Sequence, residues 1–446
     1  MKKLLSMILA LIMVLSLAAC GGATESASDS ASEPASTSES TSESVSESTS
    51  EEATASDIAA KVAAAAETPV DTSKVKEAVD NGTFKIGVIL VGDENEGYTY
   101  AHIEGIEEAK KALGLTDDQV IYKYSIPEDE TCYDTAVDLA DQGCSIIFSN
   151  SFSHETYMIQ AAAEYPDIIF LPATGQQAAT CGLENVVNYF PAVYESRYVA
   201  GVVAGMKLKE LMDAGTVTDP KIGYVGAYPY AEVVSGYTAF FLGIRSIVPE
   251  AYMEVTYTNS WFDITAEAEA ANSLIADGCV IIGQHADSTG APSACEAKLK
   301  EGTTVYCVGY NVDMLSVAPT AALTSAQNRW GTLYTKIIDT CMKGEPLSKN
   351  VSAGYTDDGV QISALGASCA TGTAEKVDAV INDIKSGKLH VFDCSTWTVG
   401  GAKLDSYDQS YGFEGVQLIW DGYFHESEVI SAPLFDIRID GITELN

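Results

Sequence analysis

The chain has 446 residues, 46% of them hydrophobic, and carries 63 acidic side chains against 25 basic ones, a formal charge of −38. Such a length and apolar content support more than one ordinary domain. Such a field repels nucleic acid and disfavours an anionic ligand such as a nucleotide, leaving a neutral or cationic small molecule as the expected partner.

At the N-terminus Lys2 and Lys3 precede an apolar run from Leu4 to Ala19 and the sequence "LAAC" at 17 to 20. A basic start, an apolar centre and small residues before a cleavage point make residues 1–19 a signal peptide. The run is shorter than the roughly 20 apolar residues a bilayer span needs. "LAAC" resembles a lipobox, which implies that Cys20 becomes the lipidated first residue of the mature chain. Loss of Lys2 and Lys3 leaves 23 basic against 63 acidic residues, or −40. From Gly21 to Ser56 there are eight acids, no base and almost nothing apolar. This stretch buries too little to offset its conformational entropy and reads as a solvated tether. "DIAAKVAAAAE" and "SKVKEAVDN" have alanine-rich helical character, so residues 20–83 as a whole read as lipidated cysteine, tether, marginal helix and connector.

From Phe84 short β-rich runs alternate with amphipathic stretches. The expected strands are "KIGVILV" (85–91), "QVIYKYSI" (119–126), "SIIFSN" (145–150), "DIIFLPA" (167–173), "KIGYVGA" (221–227), "MEVTYT" (253–258), "CVIIG" (279–283) and "TVYCVG" (304–309). Between them Ile103, Ile106 and Leu113 recur on one helical face, Tyr133, Val137 and Leu139 on the next, and Tyr198, Val202, Met206 and Leu208 on a longer one. Alternation of this kind predicts an α/β fold of parallel sheets covered on both faces. The repeat runs through two sets and predicts two doubly wound lobes: 84–190 plus about 322–350, and 191–321 plus about 351–446.

In a doubly wound sheet the ligand lies beyond the carboxyl ends of the strands. There the chain places "GYTYAH", "NSFSHE", "ATG", "YPYAE", "NSWFD", "QHADSTG" and "YNVDM". Gly97 lets the chain turn, Tyr98 and Thr99 enter the helix, and His102 shares their face one turn on, with the core face beginning at Ile103 and Ile106. Polar-tipped rings at a strand-to-helix switch fit a solute better than packing. Trp261 is the counterpart in the second lobe, where Asp263 is placed to cap the following helix. Asp287 and Asp313 fit either of two roles, acceptors for ring or amine N–H groups or caps of the next helix.

Catalytic patterns are absent: there is no GxSxG, HExxH, Walker A loop or GxGxxG after the first strand. His285 beside Asp287 lacks a third ligand at metal spacing, and "DENEG" lacks the acid that closes a calcium loop. Nine cysteines besides Cys20 show no CxxC, and no cofactor or zinc site is expected. Cys144, Cys279 and Cys307 read as small buried residues.

Several separated segments then agree in order and spacing: "IGVILVGDENEGYTYAHIEGIEEAKKALG", "YESRYVAGVVAG", "IGYVGAYPYAEVVSGYTAFFLGIRSIVP", "YTNSWFDITAEAEAANSLIADGCVIIGQHADS" and "VGYNVDM". Over about residues 84–345 the chain resembles the basic membrane protein family, PnrA-like substrate-binding lipoproteins of ABC importers. The resemblance implies a type I periplasmic-binding-protein fold, two α/β lobes joined by three crossovers. It implies a purine ligand stacked between two aromatics, which carry over onto Tyr98 and Trp261, with Thr99 where the family has Asn. The family's ribose-binding Asp and Lys correspond to Asn311 and to Gln327 or Asn328, which tilts the expectation from nucleoside to a free base such as adenine. Trp330 is expected to fill part of the vacated space.

The reading is a lipid-anchored, extracytoplasmic binding protein, not an enzyme, that delivers its solute to an ABC permease and its ATPase. Tyr98 and Trp261 stack the ligand, His102, Asp287 and Asp313 read its edge, and Ser151, Phe152 and Thr174 line the first lobe. The alternatives are a binding protein for another solute such as a sugar, a ligand-sensing partner of a receptor, and a secreted nucleoside hydrolase using His285 and Asp287.

Overall fold

A computed structural model describes residues 55–407, 413 and 415–446. The expected signal peptide, Cys20 and nearly all of the tether lie outside the described residues.

Four parallel strands form the first sheet in the order Val120–Lys123, Ile86–Ile89, Ile146–Ser149, Ile169–Pro172. Three of the four are buried along their whole length, as befits a parallel sheet with helices on both faces. The second sheet has seven strands: Val360–Ile362, Ala322–Asn328, Tyr306–Tyr310, Ile281–Gln284, Lys221–Gly226, Tyr252–Tyr257 and Ile442–Glu444. All run parallel except Val360–Ile362, which pairs antiparallel at the edge. Each sheet has an apolar cluster on either face, so the two lobes have separate cores.

The chain passes between the lobes three times: after Asn188–Tyr189 into the helix Val193–Asp213, at Arg329, and after Asn350–Val351. The first and third crossings run side by side as a two-stranded parallel ribbon, Asn188 opposite Asn350 and Tyr189 opposite Val351. The boundary expected near residue 322 falls instead at Arg329. Ala322–Asn328 is a buried strand of the seven-stranded sheet, and only the following helix, Trp330–Lys343, packs in the first lobe through Leu333, Tyr334, Ile337 and Ile338.

That helix lies against Gly97–Leu113. Their approach is close at Gly105, where an added Cβ would stand 2.5 Å from Trp330 Cβ and 2.9 Å from the Gly331 nitrogen. Upstream, helices Ala55–Glu67 and Ser73–Asp80 occupy the segment read as marginal helix and connector. Val62 joins the second lobe's core and the fully buried Val75 joins the first's, while Val70 bridges to Leu347. At the far end, the hairpin Ile419–Trp420/Tyr423–Phe424 turns on Asp421 and Gly422, both at positive φ, the two-residue turn whose twist matches its strands. Phe392, Trp397, Phe424 and Phe435 anchor this tail in the second lobe's core.

Candidate functional site

The carboxyl ends of the two parallel sheets meet at one cavity with an empty volume of about 370 Å³. From the first lobe it is lined by Val91, Glu96, Tyr98, Asn150, Ser151 and Phe152, with Thr174 beyond them. The second lobe contributes Glu232, Trp261, His285, Asp287 and Tyr310. All lie at or just past strand ends, where helix N-termini and exposed backbone groups gather.

Tyr98 is 9% exposed and half-buried Trp261 faces the same cavity. Tyr98 is held edge-on by His102 at 4.5 Å and by Trp330 at 6.0 Å, and Trp261 is held edge-on by Tyr228 at 5.2 Å. Each ring is thus held by edge-to-face contacts within its own lobe while it lines the cavity. The lobes touch beside it. An added Cβ on Gly97 would lie 3.2 Å from the Asp287 carbonyl oxygen, so glycine permits the helix N-terminus to reach the other lobe.

Behind Tyr98 a buried polar chain fixes the first lobe's wall. Asn150 accepts from the Val91 N–H at 2.8 Å and donates to Thr99 Oγ1 at 3.2 Å, and Thr99 donates to Glu96 Oε2 at 2.5 Å. Ser151 donates to Glu128 at 2.5 Å. Thr174 adopts φ +56°, an outlier for a β-branched residue, with its hydroxyl donating to the Ala173 carbonyl at 2.6 Å. Asn259, two residues before Trp261, and Asn311 also adopt positive φ, a conformation asparagine tolerates.

The second lobe's wall is charged. Asp287 accepts from Asn311 Nδ2 at 2.7 Å, and His285 Nε2 lies 3.3 Å from Glu232 Oε1. Arg197, 2% exposed, donates to the Gln284 carbonyl at 2.5 Å and lies 3.7 Å over the Tyr310 ring. Burial drives the carboxyls and the imidazole here toward neutrality. The Glu232 carboxyl rises to about 7, opposed by Arg197. Asp287 rises well above the usual carboxylate range through burial and then Glu96, Glu267 and Glu232. Glu96 rises through burial despite its bond from Thr99, and His285 falls well below its ordinary value through burial, then Arg197. Three carboxyl groups whose ionised forms are disfavoured by burial can each accept from an N–H donor, and a donor that binds there draws the group toward its ionised form. The hydroxyl of Tyr310, which lines the cavity, is buried without a partner, an arrangement that costs stability unless a ligand completes it.

Of the residues predicted from sequence, Tyr98, Ser151, Phe152, Thr174, Trp261 and Asp287 come together here. Thr99 and Asn311 stand one layer back, supporting Glu96 and Asp287. His102 does not face the cavity: it is fully buried, stacks 3.7 Å from Trp330 and bonds Tyr334 at 2.6 Å, because the Trp330–Lys343 helix covers that face. Trp330 is likewise 1% exposed behind Tyr98 and fills core rather than cavity. Asp313 caps the short turn Met314–Ser316, accepting from Leu315 N at 2.9 Å, and stays outside. Asp263 caps its helix as expected. Glu96, Asn150, Glu232, Tyr310 and the supporting Arg197 were not singled out from sequence, although Asn150, Glu232 and Tyr310 stand in the strand-end segments "NSFSHE", "YPYAE" and "YNVDM" and Glu96 in "DENEG". Among the described residues no group of three His, Cys, Asp or Glu side chains has metal-binding geometry, and no helix is long and apolar enough to cross a membrane.

Comparison with known proteins agrees with this architecture. A solute-binding protein of an ABC transporter system from Aeropyrum pernix superimposes with a TM-score of 0.59 at 16% identity, covering 69% of this chain and 93% of that one. One from Conexibacter woesei superimposes at 0.55 with 21% identity, over 69% and 98%. These share the two-lobed periplasmic-binding-protein fold. In sequence, the chain is 30% identical over 333 residues to a protein named purine-binding protein in Brucella abortus, covering 72% of this chain and 88% of the relative. It is 29% identical over 322 residues to a putative ABC transporter glucose-binding protein of Haloferax volcanii, over 72% and 77%. The profile of one family, described as ABC transporter substrate-binding protein PnrA-like, matches residues 84–393. The chain belongs to that family, the PnrA-like (Bmp) substrate-binding proteins of ABC transporters.

Proposed function

We propose that the protein captures a purine between its lobes, as a free base in preference to a nucleoside, and hands it to an ABC permease without chemical turnover. The observation that carries the reading is the cavity itself: Tyr98 from one lobe and Trp261 from the other line it together with three acidic side chains, Glu96, Glu232 and Asp287. A planar heterocycle stacks on the rings, each contact being worth about 1–3 kcal/mol by analogy with base stacking, and its N–H groups meet the carboxyl oxygens. The relative named for purine binding supports the same class. The preference for a base rests on the ribose positions of the family. Asn311 is engaged with Asp287, Gln327 donates to the Asn311 carbonyl at 3.0 Å, and neither these two nor Asn328 lines the cavity. The body is held outside the cell membrane by a lipid on Cys20 and the acidic tether, and the cleft closes about the hinge formed by the three crossings.

Native mass spectrometry of protein purified from its own cells, followed by a thermal-shift panel of nucleobases, nucleosides and sugars, tests this. A co-purified purine mass and a selective shift by adenine are expected; ligand at a hundred times its Kd stabilises by about 2.7 kcal/mol. A hexose mass, or a shift by glucose alone, refutes the purine reading. Release of free base from adenosine during the assay refutes the absence of turnover.

A further inference from the structure

A second chamber, with an empty volume of about 970 Å³, adjoins the first across Phe152, Thr174 and Glu232, which line both. Its remaining walls are Pro229, Tyr230 and Ala231 of the second lobe, Gln176 of the first, and the segment from Ala432 to Arg438. The last of these lies beyond residue 393, where the match to the family ends. This chain has therefore built part of the chamber from residues of its own tail.

The chamber is apolar in a place where apolar surface is costly. Phe152 is 37% exposed and Tyr230 is 45% exposed, and their rings meet across the cleft at 5.9 Å. The two exposed rings and the exposed Pro229, contiguous with the first cavity, mark a surface awaiting an apolar group. The charged residues in the wall are already committed. Asp436 accepts from the Tyr407 hydroxyl. Arg438 bonds Glu444 at 3.1 Å and donates to the Asp436 carbonyl at 2.6 Å. Thr174 donates to its neighbour's carbonyl and Glu232 faces His285. The Gln176 amide and the Tyr230 hydroxyl are the uncharged polar groups that remain, beside the second oxygens and further N–H groups of the charged residues. Along the walls formed by Phe152, Pro229, Tyr230 and Ala231 a ribose would give up hydrogen bonds to water that an apolar substituent does not have to lose.

We propose that this chamber is a second subsite that takes an apolar substituent on the ligand, so that the preferred solute is a base carrying an alkyl or aryl group rather than a bare base or a nucleoside. The inference rests on the purine reading of the first cavity. Calorimetry on the intact protein with adenine, N6-benzyladenine and adenosine tests it. N6-benzyladenine is expected to bind at least about tenfold more tightly than adenine, the effect of burying about two methylene groups. Tyr230→Ala should weaken N6-benzyladenine by about 2- to 13-fold, the range for one aromatic pair, over and above the change in adenine affinity that passes through the Tyr230 contact with Trp261 at 6.1 Å. Ala231→Phe, which fills the chamber instead of emptying it, should also select against N6-benzyladenine. Adenine binding with no gain from the benzyl group overturns the subsite and leaves the purine reading intact; a gain from ribose instead overturns both the subsite and the preference for a free base, with purine capture still standing. Binding of none of the three overturns the subsite and the purine reading together.

Discussion

Replacing Glu232 with Gln should make the ligand-free protein more stable at pH 8 and leave it nearly unchanged at pH 4.5. Burial lifts this carboxyl from 4.5 to about 7, against the pull of Arg197. The unfolded chain therefore gives up the proton first. Stability associated with the protonated form is fully present below pH 4.5 and is lost as pH rises through about 7. A rise from 4.5 to about 7 corresponds to about 3 kcal/mol once both states are ionised. The side chain keeps 14% exposure, which reduces the expected effect to about 2–3 kcal/mol. Gln cannot ionise and escapes the penalty. For a body of this size the unfolding entropy is roughly 0.8 kcal/mol per kelvin, so the melting temperature should rise by about 3 °C at pH 8. Melting curves of wild type and Glu232→Gln from pH 4.5 to 8.5 read this directly, the two profiles converging at the acid end. A ligand N–H bonded to Glu232 favours its ionised form, so capture near pH 6.5 should release protons, visible as a dependence of binding heat on the buffer. Parallel pH profiles, or a Glu232→Gln protein less stable at pH 8, would mean that the carboxylate is ionised and well solvated in the free protein, which refutes the desolvated cavity.

Three further outcomes follow from packing and charge. Gly105→Ala should destabilise by about 1–3 kcal/mol in urea denaturation, because the new methyl would stand 2.5 Å from Trp330 Cβ; the gain of about 1 kcal/mol that propensity alone predicts would contradict the helix contact. Arg197→Met should cost about 3 kcal/mol, more at pH 8 than at pH 5, since the guanidinium holds down the Glu232 and Asp287 carboxyls and ionised forms then lose their counter-charge; equal losses at the two pH values would detach it from them. Among the described residues the nine cysteines are free and seven are buried, with Cys132 and Cys341 pushed up to about 12 by burial. A thiol reagent should therefore modify at most Cys181 and Cys369 of these nine before denaturant is added.

The sheets were legible because parallel strands read as short continuous apolar runs, and the strand-end rule then picked out loops whose Tyr98 and Trp261 line one cavity. What periodicity could not supply was the identity of each helix's neighbour. His102 shares a face with Tyr98, but that face is covered by Trp330–Lys343, a helix more than two hundred residues later in the chain, and no local pattern encodes such a contact. The same crossing misplaced the lobe boundary: Ala322–Asn328 and the helix after it are contiguous in sequence yet belong to different lobes. Glu232 was inconspicuous because an acid in the first turn of a helix is an ordinary partner of the dipole. Arg197 reads as a surface residue until the helix Val193–Asp213 is seen to be buried on nearly every side. Asp313 and Asp263 show the converse, loop acids whose capping role is fully visible locally.

Calorimetric titration of adenine into wild type and into Tyr98→Ala/Trp261→Ala tests most directly whether rings from two lobes clamp one planar ligand. Loss of both stacking contacts is expected to weaken binding by at least about 30-fold, at about 1 kcal/mol or more per ring. Wild-type affinity retained in the double variant, with the fold intact by circular dichroism, would contradict the clamp.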